Sequence, residues 1–161
     1  MSRLPRIALC GPSRCGKDEC AKWLAANTPL RYSRSMSQVI APHVAKRLGK
    51  TVDEVFATRH ADKQLWFDIG NELRERDPLH IVRECLKDGE LVVGPRDCGE
   101  IVHARETDLI DLAVWIERDV PEDPTLTYGA ELCDVVVLNL GPLHRMFESL
   151  RALARFAGLI G

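Results

Sequence analysis

Ile7-Ala8-Leu9-Cys10-Gly11-Pro12-Ser13-Arg14-Cys15-Gly16-Lys17-Asp18-Glu19 is the stretch that decides the fold. Its apolar opening reads as a short buried strand, and Gly-x-x-x-x-Gly-Lys directly after it has the spacing of a phosphate-binding loop. Glycines let the backbone wrap closely around an anion, successive N–H groups converge on its oxygens, and the helix that follows points its positive end at them. Lys17 then reaches the outer phosphates. The required helix is present in Glu19-Cys20-Ala21-Lys22-Trp23-Leu24-Ala25-Ala26, with Ala21 and Leu24 on its apolar side. Gly11, Pro12, Ser13, Arg14, Cys15, Gly16, Lys17, Asp18 and Glu19 are therefore expected around a nucleotide's phosphates.

Asp18 stands where a Ser or Thr hydroxyl normally meets Mg²⁺. A carboxylate beside a triphosphate is repelled unless a cation lies between them. Asp18 is thus either a Mg²⁺ ligand, direct or through water, or is turned away from the anion; the metal role is favoured. Cys15, inside the loop and near Lys17, is placed where a thiol pKa is lowered and where oxidation could block binding, although a small loop residue is the simpler reading.

A length of 161 residues fits one domain, residues 1–161, able to bury about two-thirds of its unfolded surface. No apolar run is long enough to cross a membrane, and Met1 to Arg6 pass straight into the first strand with no room for a signal peptide. A cytoplasmic protein is expected. Net charge of −2 argues against a nucleic-acid surface, which needs a basic excess. Cysteines 10, 15, 20, 85, 98 and 133 form no C-x-x-C pair and have no His at zinc spacing, so they are expected as reduced core residues. A homodimer, the commonest soluble homo-oligomer, is the default assembly.

Along the rest of the chain, Leu30 to Arg34 is a candidate strand. A helix runs from about Ser37 to Leu48 with Pro42 near its start, Thr51-x-x-Glu54 caps a short second one, and a longer one spans about Ala61 to Glu75. Asp77-Pro78 opens the next. Strands Leu91–Val93, Leu112–Ile116 and Val135–Leu138 are nearly continuous in apolar character, as in a sheet covered on both faces. A helix from about Gly99 to Glu106 and a polar segment, Arg118 to Leu132, lie between them, and Gly141-Pro142 opens a final helix through Ala157. Alternation of strands and helices implies right-handed crossovers, a mostly parallel five-stranded sheet between two helical layers, and a ligand crevice at the strands' carboxyl ends.

A GTPase would carry Asn-Lys-x-Asp after a late strand; here Asn139-Leu140-Gly141-Pro142 stands instead. Phosphoryl transfer between two anions needs cations around the transferred group and a second set for the acceptor, and arginine's planar fork suits both. Arg96 and Arg118 follow strands on the ligand edge. Arg34, Arg59, Lys63, Arg74 and Arg76 lie on or beside the helical segment. Trp66 and Phe67 could stack on a base, although their spacing with Leu65, Ile69 and Leu73 favours core packing.

Taken together, Gly-x-x-x-x-Gly-Lys-Asp, Lys63 ahead of Leu65-Trp66-Phe67-Asp68-Ile69-Gly70-x-x-Leu73-Arg74-x-x-Asp77-Pro78, Val92-Val93-Gly94-Pro95-Arg96-x-x-x-Glu100 and Val114-Trp115-Ile116-x-Arg118 resemble bacteriophage-type deoxynucleoside monophosphate kinases. These are relatives of the adenylate-kinase-like branch of phosphate-loop enzymes. The resemblance implies transfer of the γ-phosphate of ATP, with Mg²⁺, to a nucleoside monophosphate. It implies that Lys17 and the loop hold ATP, Asp18 the metal, and Arg34 and Arg74 the acceptor phosphate, with Lys63 and Trp66 in the acceptor segment, residues 34–88. Arg96 or Arg118 would serve the transferring group, and residues 118–132 a short lid. The acidic residue usual on the strand before Arg96 is replaced by Gly94-Pro95, with Asp97 the candidate metal-side substitute. Two other readings share the donor half: a kinase of another small metabolite, and a nucleotide-binding sensor or assembly protein without rapid catalysis.

Overall fold

The computed structural model describes residues 2–161. Four strands, β1 (Ile7–Cys10), β2 (Leu91–Val93), β3 (Leu112–Glu117) and β4 (Val135–Leu138), form one sheet in the order β2-β1-β3-β4. Every pairing is parallel, with Ile7 opposite both Leu91 and Leu112, and Val114 opposite Val135. Helices α1 (Lys17–Asn27), α2 (Met36–Leu48), α3 (Val52–Ala57), α4 (Lys63–Arg76), α5 (His80–Leu86), α6 (Cys98–Glu106) and α7 (Leu143–Phe156) supply the crossovers.

The alternation of side chains along β1 splits the core in two. Ala8 and Cys10 face a layer containing Val44, Trp66, Val82, Ile101 and Trp115. Ile7 and Leu9 face the other, with Leu24, Val114, Ile116, Met146 and Leu150, where α1 and α7 pack and Trp23 stacks on Phe147. Because β1, β2 and the middle of β3 are covered on both sides, they are buried without interruption.

The sheet has four strands rather than the expected five, and all are parallel. Leu30 to Arg34 is extended but makes no ladder. Its backbone joins the sheet region once, Glu90 N–H donating to the Arg31 carbonyl at 3.0 Å, while the Arg31 N–H is taken by the Glu90 carboxylate at 2.8 Å. With a side chain holding the second donor, strand pairing stops after one bond. β4 also departs from the continuous-burial expectation: it is an edge, with Val137 buried but Val136 and Leu138 exposed.

Helix starts follow their local signals. Ser35 and Gln38 cap α2, Thr51 and Glu54 cap α3, and Gly49 at φ 63° ends α2. Pro42 lies within α2. Asp77 does not open α5: it ends α4, its carboxylate accepts the Leu79 N–H at 3.1 Å, and α5 begins at His80. Residues 118–132 hold only a 3-10 turn, Ala130–Leu132.

Candidate phosphate-loop site

The turn from β1 into α1 has the conformation the glycine spacing demands. Gly11 has φ 140°, and a Cβ there would come within 2.7 Å of Cys15 Sγ and 2.8 Å of the Ile116 carbonyl oxygen. Gly16, the residue before α1, has φ 105°, and a Cβ would lie 2.7 Å from Asn139 Nδ2. Both positions combine a left-handed backbone with no room for a side chain. Arg14 also has positive φ, 63°.

Lys17 is folded under the loop. Its ammonium donates to the Gly11 carbonyl at 2.9 Å and the Pro12 carbonyl at 2.6 Å, with Cys15 Sγ at 3.6 Å. Burial holds its pKa below the ordinary lysine value, and Arg96 adds to that, while Cys15 and Asp18 act in the opposite direction. Cys15 itself is fully buried. Burial raises its thiol pKa and outweighs the opposing effect of Lys17, so the expectation of an activated thiol is reversed.

Residues from every strand end meet the loop. After β4, Asn139 Nδ2 donates to the Cys15 carbonyl at 2.9 Å. After β3, Arg118 Nη1 donates to the Arg14 carbonyl at 3.2 Å. After β2, Arg96 reaches across the loop, donating through Nη2 to Ser13 Oγ at 3.2 Å and through Nη1 to the carboxylate of Asp123. The same Asp123 oxygen accepts the Ser13 N–H at 2.9 Å. Thr125 N–H and Oγ1 donate to the other oxygen, at 3.1 and 2.6 Å. Burial opposes the charge on Asp123, but Thr125, Arg96 and Ser13 more than offset it and hold the carboxyl below its usual range.

Asp18 is exposed at the start of α1, where Tyr32 donates its hydroxyl to Oδ1 at 3.2 Å; Glu19 beside it is exposed and pairs with Lys22 at 3.5 Å. No group of three or more His, Cys, Asp or Glu suited to a metal is found among the described residues. Asp18 is an exposed carboxylate beside the loop, and one carboxylate together with water and substrate phosphates is a donor set that Mg²⁺ accepts. Asp97 is committed elsewhere: Oδ2 accepts the Gly99 N–H at 2.8 Å and caps α6, and Thr127 Oγ1 lies 3.4 Å from Oδ1. β3 ends in a further acid, Glu117, which accepts the Trp115 indole N–H at 2.7 Å.

The acceptor candidates divide. Arg74 is locked into the core through Nε to buried Glu100 at 2.8 Å and Nη1 to Asn71 at 3.1 Å. The other Glu100 oxygen accepts the N–H groups of Arg96 and Asp97 at 3.1 and 3.3 Å. Arg74 therefore positions the turn carrying Arg96, and the free acceptor-binding arginine expected at this residue is not what the geometry provides. Arg34 lies 4.0 Å from Glu84 and 3.6 Å from Asp88. Lys63 is exposed at the start of α4, and Trp66 is buried, packed against Phe56 in the core. Arg59 lies over the Trp66 ring, 4.8 Å from its centroid, and the charges of Arg96, Asp18 and Asp123 act on it. Burial lowers its pKa.

Asp123, Asn139 and Glu100 thus join the site. Glu100 stood in the Arg96-x-x-x-Glu100 spacing without a role of its own, and the structure shows it as the second half of the Asp97 capping box; Asp123 and Asn139 carry no motif, because only folding brings them to the loop. A groove of about 390 Å³ between α2 and α4, lined by His43, Lys46, Arg47, Ile69, Glu72, Leu73 and Arg76, shares no residue with the loop.

No protein-family model matches the chain. No curated protein matches its sequence. Among solved structures, TT1252 from Thermus thermophilus is similar over 99% of this chain and 100% of that one, with a TM-score of 0.53 and 14% identity. Shikimate kinase from Aquifex aeolicus covers 97% of this chain over 99% of its own length, with a TM-score of 0.47 and 16% identity. At such identity the first likeness is one of fold: a parallel α/β sheet flanked by helices, of similar size throughout.

Proposed function

We propose that the chain is an ATP- and Mg²⁺-dependent phosphotransferase that moves a γ-phosphate onto a small acceptor, with a (deoxy)nucleoside monophosphate as that acceptor. The observation that carries the reading is the convergence of the Ser13 N–H and the Arg96 guanidinium on one carboxylate oxygen above the glycine-shaped loop. Two donors from different strand ends already aim at a single oxyanion, as phosphate binding and transfer require.

In this reading the N–H groups of residues 13–18 and the Lys17 ammonium bind the donor phosphates, and Asp18 holds Mg²⁺, which supplies charge neutralisation when bound. Arg96 and Arg118 stabilise the charge on the transferring group. Arg59 and Lys63, with Arg34 at the far side, attract the acceptor's phosphate, and Arg59 on Trp66 forms the wall facing it. Nothing in the site selects a base, and the deoxynucleotide preference rests on the motif resemblance. A nucleotide-binding protein without rapid catalysis is the second reading, favoured by Gly94-Pro95 standing where a strand-end acid is usual.

A panel of deoxynucleoside and ribonucleoside monophosphates, together with small hydroxy acids, incubated with ATP and Mg²⁺ and followed for ADP and phosphorylated product, decides between these. Diphosphates from one or a few bases support the proposal. Tight ATP binding with no product from any acceptor supports the second reading. Arg96→Ala is expected to lower turnover by about 100-fold while changing ATP affinity far less, as loss of a transition-state contact does.

A further inference from the structure

We infer that Asp123 is a built-in occupant of the phosphate loop's anion position: the lid carboxylate holds the site shut, and an incoming phosphate group must displace it. This rests on the loop being a phosphate site, as proposed above.

Four donors fix the carboxylate, and they divide by origin. Oδ1 is bound by Thr125 N–H and Oγ1, within the lid itself. Oδ2 is bound by Ser13 N–H, a loop amide, and by Arg96, the cation assigned to the transferring phosphate. The lid thus carries a preformed anion on its own turn and lends one oxygen to the donors a phosphate oxygen would use. The side chain is only 7% exposed, so a phosphate cannot bind those two donors alongside it.

Apart from Arg118 at the lid's start, which donates to the Arg14 carbonyl at 3.2 Å, the contacts that hold the rest of the lid do not touch the loop. Thr127 N–H donates to the Arg96 carbonyl at 3.0 Å, Cys98 N–H to Thr127 Oγ1 at 2.8 Å, and the Tyr128 hydroxyl to the Pro95 carbonyl at 2.8 Å. Residues 127 and 128 therefore form a hinge anchored on the β2–α6 turn, and Asp123 is the lid's anionic contact with the loop. Arg96 is shared: it must release Asp123 to serve a phosphate. Because Arg96 and Ser13 favour any oxyanion of similar geometry, exchange of carboxylate for phosphate needs no rearrangement of the donors, only movement of residues 119–126.

A site whose open form is a minor fraction binds its ligand more weakly by that fraction. Removing the plug's charge while keeping its shape, with Asp123→Asn, is expected to tighten binding of ATP and of inorganic pyrophosphate by about 10- to 100-fold, corresponding to an open fraction of about 10% to 1%. Titration calorimetry of the wild-type protein and the variant with both probes reads this directly. In the wild-type protein, pyrophosphate should also speed hydrogen exchange at the amide of Thr125 and leave that of Thr127, at the hinge, unchanged, a readout that does not depend on any variant folding. Equal or weaker binding by Asp123→Asn, with turnover reduced, would overturn the inference and make Asp123 a positioning residue for Arg96. Wild-type binding of pyrophosphate with exchange at Thr125 unchanged would overturn it as well. Absence of ATP and pyrophosphate binding in both proteins would remove the phosphate site itself, and this inference with it.

Discussion

At the scale of single residues, Lys17 shows how function and stability are set against each other. Its ammonium is buried against two carbonyls and a thiol, with no carboxylate among its hydrogen-bond partners, and burial lowers its pKa. A buried cation satisfied only by neutral groups costs more than an apolar chain of equal length. Lys17→Met is therefore expected to raise the unfolding free energy by about 1 kcal/mol while abolishing phosphate binding, the usual trade at a functional site. Denaturant titration checks it; a destabilised Met variant would mean that the carbonyl contacts outweigh desolvation. Cys15 offers a second residue-scale test. Burial raises its thiol pKa, whereas Cys98 is exposed. Iodoacetamide followed by peptide mapping should modify Cys98 first and leave Cys15 nearly untouched in the native protein.

At the scale of elements, the Arg74–Glu100 pair joins α4 to α6 and sets the turn from which Arg96 projects. Glu100 is 1% exposed and Arg74 11%, so removing one partner strands a buried charge. Arg74→Ala is expected to cost about 3–5 kcal/mol, and a double replacement of both residues by apolar ones of similar volume much less. Equal losses in the two variants would show that the pair acts through packing alone. Here the sequence was legible in part. Whereas the Ser35 and Asp97 caps emerge only in the structure, the strand-loop-helix opening, the Thr51 cap and the strand positions were readable because each depends on residues a few positions apart. Leu30 to Arg34 was not, because its failure to pair depends on Glu90, far along the chain. Arg74 was readable as important but not in its role, since periodicity does not reveal that a partner on α6 will bury it.

At the scale of the molecule, surface carboxylates staple the sheet's lower end to the chain's start. Asp111 accepts from Arg3 at 2.6 and 2.9 Å and from the Arg6 N–H at 2.7 Å, and Glu90 pairs with Arg31 at 2.7 Å. Burial works against ionisation of Asp111, but Arg3 and Arg6 outweigh it, and Arg31 leads in lowering Glu90; Asp123 is depressed likewise. A folded-state pKa below the unfolded one contributes stability above the unfolded value, about 4, and loses it as pH falls through the folded value. The melting temperature should therefore be level from neutral pH to about 5 and decline below about 4, with Asp111→Asn showing a shallower decline. A wild-type midpoint that rises on acidification would reverse the sign assigned to these groups. No helix of the described residues is long and apolar enough to cross a membrane, and the glycine-shaped loop lies at one edge of the sheet, the carboxyl ends of four parallel strands.

The central claim is that this edge binds a nucleoside triphosphate by its phosphates, and calorimetric titration of the purified chain with ATP and Mg²⁺, alongside folded Lys17→Ala, tests it most directly. The account predicts saturable one-to-one binding by the wild-type protein, weakened at least about tenfold in the variant, as loss of a charge-assisted contact of about 1.5–3 kcal/mol requires. No heat of binding in the wild-type protein, or equal affinity in the two, would contradict it.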